Sequence, residues 1–236
     1  MELYAVKFGE DFKFAKYENV YKGMGKTGRV TDFIFLRYIL IHNGKVVLID
    51  TGFRDEKVAE KMGVTLLEVD REVKNIIGDI SNIDTILITH SHFDHIDNLD
   101  LYGKPTVIIS KQEYDFAMDK SPEPVKARLT ADNVILVDEE YSFDNKFRFK
   151  VIGGHTPGSS VIYFENDGKN YVIASDECYM CDNIYKNVPN GNCFNSENNE
   201  SFISDAHSKG LIPLPFHDIS IFKQYERVSE NIVRII

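Results

Sequence analysis

Long apolar runs are missing from this chain: no stretch approaches the roughly eighteen uncharged apolar residues that a membrane-spanning helix requires. Positive charge is also short, with 27 Lys and Arg against 37 Asp and Glu, a net charge of −10 and a pI near 5.2. Phosphate backbones and anionic membrane surfaces are bound mainly through Lys and Arg, so neither nucleic acid nor membrane is an expected partner, and a small molecule is. Cysteine is scarce: three residues, an odd number, make no disulfide framework and read as reduced thiols. The opening "MELYAVKFGEDFKFAKYE" has neither a basic start leading into an apolar stretch nor a small-residue cleavage site. These absences give the expectation of a soluble, cytoplasmic protein. With 236 residues, 43% of them hydrophobic, the chain can bury a full core and is expected to form a single domain over 1–236.

What is present is a series of short runs rich in β-branched and aromatic residues: "FIFLRYILI", "VVLID", "TILIT", "TVIIS", "VILVD", "FRFKVI", "VIYF", "YVIAS" and "LIPLPF". Such runs read as strands. Between them lie helical patterns, "DEKVAEKMG", "LEVDREVKNIIGDI" with apolar Val69, Val73, Ile76 and Ile77, and "KQEYDFAMD" behind a capping Ser110. The chain is therefore α/β. Asn43-Gly44 and Asp167-Gly168 each separate two strand runs, where a tight turn needs residues tolerant of positive φ. The two hairpins resemble each other, each running strand, Gly-Lys turn, strand, aspartate, which hints at two related halves. The segment 187–199, "NVPNGNCFNSENN", has six asparagines and no periodicity and reads as a loop.

The chemistry concentrates in "THSHFDH", residues 89 to 95, directly after Ile86-Leu87-Ile88. If that run is a strand, side chains at alternate positions just past its end point the same way, so His90 and His92 can converge on one metal ion. Asp94 and His95 are then free for a second. Further ligands stand at the ends of other strand runs: His155 after "FKVIGG", Asp176 after "YVIAS", His217 after "LIPLPF". Strand ends on one edge of a layer are where α/β folds place their sites. Five of the seven histidines share that kind of position, leaving His42 and His207 as solvated polar residues.

The ordered set Asp50-Thr51-Gly52, His90-Ser91-His92-Phe93-Asp94-His95, "GGHTPGSS" around His155, Asp176 and His217 resembles the metallo-β-lactamase superfamily across nearly the whole chain. The resemblance implies a four-layer αββα sandwich of two pseudo-repeated halves. It implies two divalent metal ions, zinc first, with iron or manganese also suited to these ligand types. By the same resemblance His90, His92 and His155 hold one ion, Asp94, His95 and His217 the other, and Asp176 bridges them, with a hydroxide between the ions and Asp50 supporting the ligands from behind. Two such cations activate water and polarise a carbonyl or phosphoryl oxygen, so no serine or cysteine nucleophile is needed.

Within that superfamily, flavodiiron proteins carry Glu where His92 stands, glyoxalase II-like thioesterases append a helical domain where nineteen residues (218–236) follow His217, and nucleases add basic surfaces. The chain most resembles the N-acyl homoserine lactonases, through "HFDH" at 92 to 95, "HD" at 217 and 218, and "SDECYM", where a tyrosine follows the bridging aspartate by three. That resemblance makes Tyr179, beside Asp94, the candidate catalytic side chain, donating to charge developing on the substrate's oxygen; packing at the pocket wall is its alternative role. The expected reaction is hydrolysis of a lactone or other carboxylic ester. A dinuclear phosphodiesterase or thioesterase is the alternative, with a diiron oxidoreductase or a binding protein behind it. Two departures stand out: Ile96-Asp97-Asn98 replaces a small residue and two glycines, adding a carboxylate, and the stretch between Asp176 and His217 is short. Cys178 and Cys181 form a C-x-x-C without the second close pair of a zinc ribbon, so metal binding there is not expected. "YKGMGKTGR" at 21 to 29 lacks the spacing of a phosphate-binding loop and reads as a pocket edge or simple loop.

Overall fold

The strand-forming runs fold where their composition places them, and the computed structural model describes residues 1–25, 28–143 and 145–236. In chain order the strands are β1 (Glu2–Lys16), β2 (Val30–His42), β3 (Lys45–Ile49), β4 (Thr65–Leu66), β5 (Ile83–Leu87), β6 (Thr106–Ser110), β7 (Val134–Val137), β8 (Glu140–Phe143), β9 (Phe147–Val151), β10 (Ser160–Asn166), β11 (Lys169–Ile173), β12 (Ile212–Leu214), β13 (Glu226–Arg227) and β14 (Ile232–Arg234). One sheet has the order β13-β14-β1-β2-β3-β5-β6-β7, with β4 on β1, and the other β12-β11-β10-β9-β8. From β3 to β7 the first sheet is parallel, and in the second only β11 and β12 are. β1, absent from the expected strands, is apolar on both faces: Leu3 and Ala5 enter one core, Tyr4, Val6 and Phe8 the other, by the alternation of a strand.

That alternation builds the layers. Leu36, Tyr38 and Leu40 of β2 meet Phe149, Ile162 and Phe216 between the sheets. Phe149 and Phe216 are fully buried there, each contributing about 1.5–3 kcal/mol. On the outer face of the first sheet, Ile39, Leu48 and Ile86 pack against Val73 and Ile77 of the helix Asp70–Ile77. Outside the second sheet, Val161 and Val172 pack against Phe202, Ile203 and Ala206 of the helix Ser196–Ser208. The result is the expected αββα order. Among the described residues no helix is long and apolar enough to cross a membrane.

The punctuation is as local chemistry demands. Asp55 caps the helix Glu56–Met62 and Gly63 ends it in the left-handed conformation; Ser110 caps Lys111–Lys120. Asn43-Gly44 and Asp167-Gly168 have φ of 50° and 74°, and 50° and 73°, as two-residue hairpin turns require. One boundary is corrected. The segment 187–199, expected to be a loop, turns helical at Ser196, where the helix Ser196–Ser208 begins, because the Asn195 side chain accepts the Asn198 N–H and caps it. Lys26 and Thr27 of the Gly/Lys stretch lie outside the described residues.

Candidate metal centre

Each candidate ligand stands where a strand has just ended, and all lie at one edge of the two sheets. β5 stops at Leu87, and Ile88 still bonds to Ile108 of the neighbouring strand. His90 and His92 converge as expected of alternate positions past a strand end, with Nε2 and Nδ1 3.1 Å apart and His92 still extended. The chain turns after His92, whose carbonyl accepts the His95 N–H and begins the short helix Phe93–Ile96 that carries Asp94 and His95. His155 comes from the loop after β9, Asp176 from the 3-10 turn Ser175–Glu177 after β11, and His217 from just beyond β12. Asp50 and Ser175, at matching points after β3 and β11, both have positive φ, 58° and 48°. Both side chains reach the Thr89 hydroxyl at 2.6 Å, so the two halves are joined at the root of the histidine cluster.

Two groups of ligand atoms form around Asp176. His90, His92, His155 and Asp176 make one; Asp94, His95 and His217 make the other. The His155 Nε2 is 2.9 Å from His92 Nδ1 and 3.4 Å from Asp176 Oδ2. On the far side, Asp176 Oδ1 lies 3.0 Å from His217 Nε2 and 3.4 Å from His95 Nε2. The outer nitrogens are fixed: His217 Nδ1 meets the Ile34 carbonyl at 2.8 Å and His95 Nδ1 the Asp50 carboxylate at 2.7 Å, so each donates there and points its Nε2 inward. His95 Nε2, His217 Nε2 and Asp176 Oδ1 are buried and, though close to one another, make no well-aligned hydrogen bond among the described residues. Buried atoms of this kind are ordinarily satisfied, and a shared cation satisfies all three at once. The residues fit a pair of divalent ions.

The electrostatics agree with that fit. Burial, helped by neighbouring His95, holds His90 well below the ordinary imidazole range, and burial takes His155 down to about 3; both are neutral, as ligands must be. Burial alone would raise Asp176, yet His217 and His95 pull it well below the usual carboxylate range. His95 goes the other way. Burial opposes its charge, but Asp94, Asp176 and Asp50 overcome that and raise it well above the usual value. The cluster's negative charge is answered by a proton on His95 or by a cation.

Two buried carboxylates that sequence reasoning missed hold the ligand loops. Glu113 Oε1 accepts the Ser91 N–H and hydroxyl at 2.7 and 2.6 Å, and Oε2 accepts the Thr156 hydroxyl and the Gly158 N–H at 2.6 and 3.0 Å. It thereby ties the His90–His92 turn to the His155 loop. Glu177 accepts the Gly154 and His155 N–H groups, both at 2.8 Å, and Asn199 at 2.9 Å. A side chain on Gly154 would collide with that carboxylate and with Asn199, and one on Gly158 with Ser110 and Glu113, which explains two of the three glycines of "GGHTPGSS"; the third, Gly153, has a φ of 70°. "S/T/G" polarity around His155 was the available signal.

The cluster opens into a cavity of about 460 Å³ whose wall includes Val20, Phe33, Phe35, Phe93 and Tyr179, with Lys16 as the cation. Phe33 stacks on the His217 ring at 3.9 Å. The Tyr179 hydroxyl is 3.3 Å from His155 Nδ1; burial, then Asp176 and Asp94, keep its phenol protonated. Asp97 ends the short helix and is not among the cavity's lining residues. Cys178 and Cys181 lie in different cores, their sulfurs turned to the Met180 and Pro213 carbonyls, and neither joins a ligand group. His207 bonds the Ile184 carbonyl, and His42 packs edge-on near Phe147.

A model of the metallo-beta-lactamase superfamily matches residues 34–206. The chain is 30% identical over 115 residues to a probable metallo-hydrolase of Methanocaldococcus jannaschii, covering 46% of this chain and 44% of that protein, less than half the relative's length. It is 22% identical over 167 residues to an N-acyl homoserine lactonase of Bacillus thuringiensis, covering 64% and 67%. Among solved structures, a quorum-quenching N-acyl homoserine lactone lactonase superposes with a TM-score of 0.80 at 19% identity, over 96% of each chain. A dizinc quorum-quenching lactonase superposes at 0.69 and 14% identity, over 99% of this chain and 93% of that one. At such identities the structural likeness shows the fold.

Proposed function

The chain belongs to the metallo-beta-lactamase superfamily, and on that premise we propose that it is a dinuclear metal-dependent hydrolase acting on a lactone or another carboxylic ester. The observation that carries this reading is the trio of buried atoms, His95 Nε2, His217 Nε2 and Asp176 Oδ1, which face one another at 3.0 and 3.4 Å between two histidine groups without a well-aligned hydrogen bond. His90, His92 and His155 would hold one ion, Asp94, His95 and His217 the other, and Asp176 both. Zinc would suit nitrogen and oxygen ligands of this kind, with iron and manganese next. When bound, the pair supplies Lewis acidity toward a carbonyl oxygen and a water acidic enough to attack at neutral pH.

The chain's own groups do the rest. Tyr179, a protonated phenol on the cavity wall, donates to the oxygen on which charge develops. Asp94 borders the cavity and the second ligand group at once, and so can carry a proton toward the leaving oxygen. The apolar wall suits an acyl chain, and a cavity of about 460 Å³ suits a small substrate. In this reading residues 1–236 act as one domain, supported by ligands drawn from positions 90 to 217 and by the pairing of β14 with β1.

The relatives named as lactonases and the acidic net charge favour a neutral ester over an anionic phosphodiester. On one metal-loaded preparation, kcat/KM for an N-acyl homoserine lactone or a simple aryl ester should exceed that for bis(p-nitrophenyl) phosphate by at least about tenfold, about 1.4 kcal/mol of differential transition-state binding. The reverse order would make the protein a phosphodiesterase.

A further inference from the structure

Arg37 is the one charge within "FIFLRYILI". Alternation along β2 puts it in the row Phe33, Phe35, Arg37, Ile39, on the helix-covered face of the first sheet, where its three row-mates belong to the core. It is only 8% exposed. Of its five N–H groups, one on Nη1 donates to the Thr51 carbonyl at 3.3 Å, while the buried Nε bonds to nothing and no carboxylate pairs with the guanidinium among the described residues. A buried guanidinium without a counter-charge is costly to keep, and Arg cannot escape by losing its proton.

Arg37 does not face solid packing. It lines a cavity of about 470 Å³ walled by Phe8, Leu48, Phe53, Val73 and Ile77, which shares no lining residue with the cavity at the metal cluster. Volume and apolar wall are those of a small-molecule site, with Arg37 and the hydrogen-bonded Asn98 as its buried polar groups and Arg37 the charged one that orients the ligand. The exposed mouth carries Glu56, Glu68, Asp70 and Asp79 against Arg54 and Lys74, and Arg54 is already bound to Asp100. Such a rim repels phosphate esters and other polyanions, whereas a single carboxylate needs only the one buried partner.

We propose that this cavity is a second binding site, for a small monocarboxylate with an apolar body, its carboxylate on the Arg37 guanidinium and its hydrocarbon against Phe8, Leu48, Phe53 and Val73. The planar fork of Arg matches a carboxylate in two-point fashion, which a neutral alcohol of the same length cannot use.

The chain contains no tryptophan, so Ile80→Trp places a single fluorophore at the cavity mouth, on a residue 43% exposed. In that metal-loaded variant, octanoate should shift the emission saturably, and octan-1-ol should bind at least about tenfold more weakly. Adding Arg37→Met should weaken octanoate by a similar factor while leaving metal content unchanged. An emission that does not respond to octanoate, an equal response to octan-1-ol, or an unchanged octanoate affinity in a folded Arg37→Met protein would each overturn the proposal. Should Arg37→Met fail to fold, the comparison of octanoate with octan-1-ol in the Ile80→Trp protein decides by itself.

Discussion

Glu113 and Ser91 meet twice: one carboxylate oxygen of Glu113 accepts both the backbone N–H and the hydroxyl of Ser91, at 2.7 and 2.6 Å. Ser91 stands between two metal-ligand candidates, so this pair sets where His90 and His92 point. The other oxygen holds Thr156 and Gly158, beside His155. Glu113→Gln puts an amide NH₂ against donors on one side or the other. The variant should lose about 1–3 kcal/mol of stability in denaturant unfolding and bind metal about 10 to 100-fold more weakly by competition with a chelator. Unchanged metal affinity would reduce Glu113 to a packing residue.

Metal and activity should depart together when a ligand is removed. Elemental analysis of the gently purified protein should find about two transition-metal ions per chain. His92→Ala should hold less metal and lose hydrolysis. Full activity at full metal content in that variant would overturn the ligand assignment.

Tyr179→Phe should separate chemistry from metal binding, because the phenol touches His155 only at 3.3 Å through the nitrogen that faces away from the cluster. Metal content should stay as in the parent while kcat falls about 10 to 1,000-fold, the range for removing one donor to a developing oxyanion. An unchanged kcat returns Tyr179 to the pocket wall.

Acid should weaken metal binding already near neutrality. In the metal-free chain Asp94, Asp176 and Asp50 raise His95 well above its usual value against the effect of burial, so the proton on His95 competes with the ion over the neutral range. The sign for metal-free stability is opposite: His95 contributes fully below its unfolded value of about 6.5 and its contribution is lost as pH rises through the raised folded value. Asp176 is depressed, so its contribution is present above about 3.9 and lost as pH falls through the folded value. Metal titrations from pH 6 to 9 should show affinity rising with pH and protons released on binding; a pH-independent affinity would contradict the charge placement at His95.

The sequence by itself determined the inner strands, the turns and the candidate ligands, because each is local. Hairpin turns at Asn43-Gly44 and Asp167-Gly168 follow from which residues tolerate positive φ, and caps at Asp55 and Ser110 from side chains that reach the next turn. The histidines and aspartates announced a site because few other arrangements call for so many ionisable groups at strand ends. Tertiary structure alone decided what surrounds them. Glu113 is 22 residues from Ser91 and 43 from Thr156, and on its own helix it reads as an ordinary charged position. Phe33 on the ring of His217 and Arg37 beneath the Thr51 carbonyl depend likewise on segments that meet only when the chain has folded. A pattern in sequence carries periodicity and chemistry; which buried charge finds a partner, and which is left facing a cavity, is fixed by packing between distant segments.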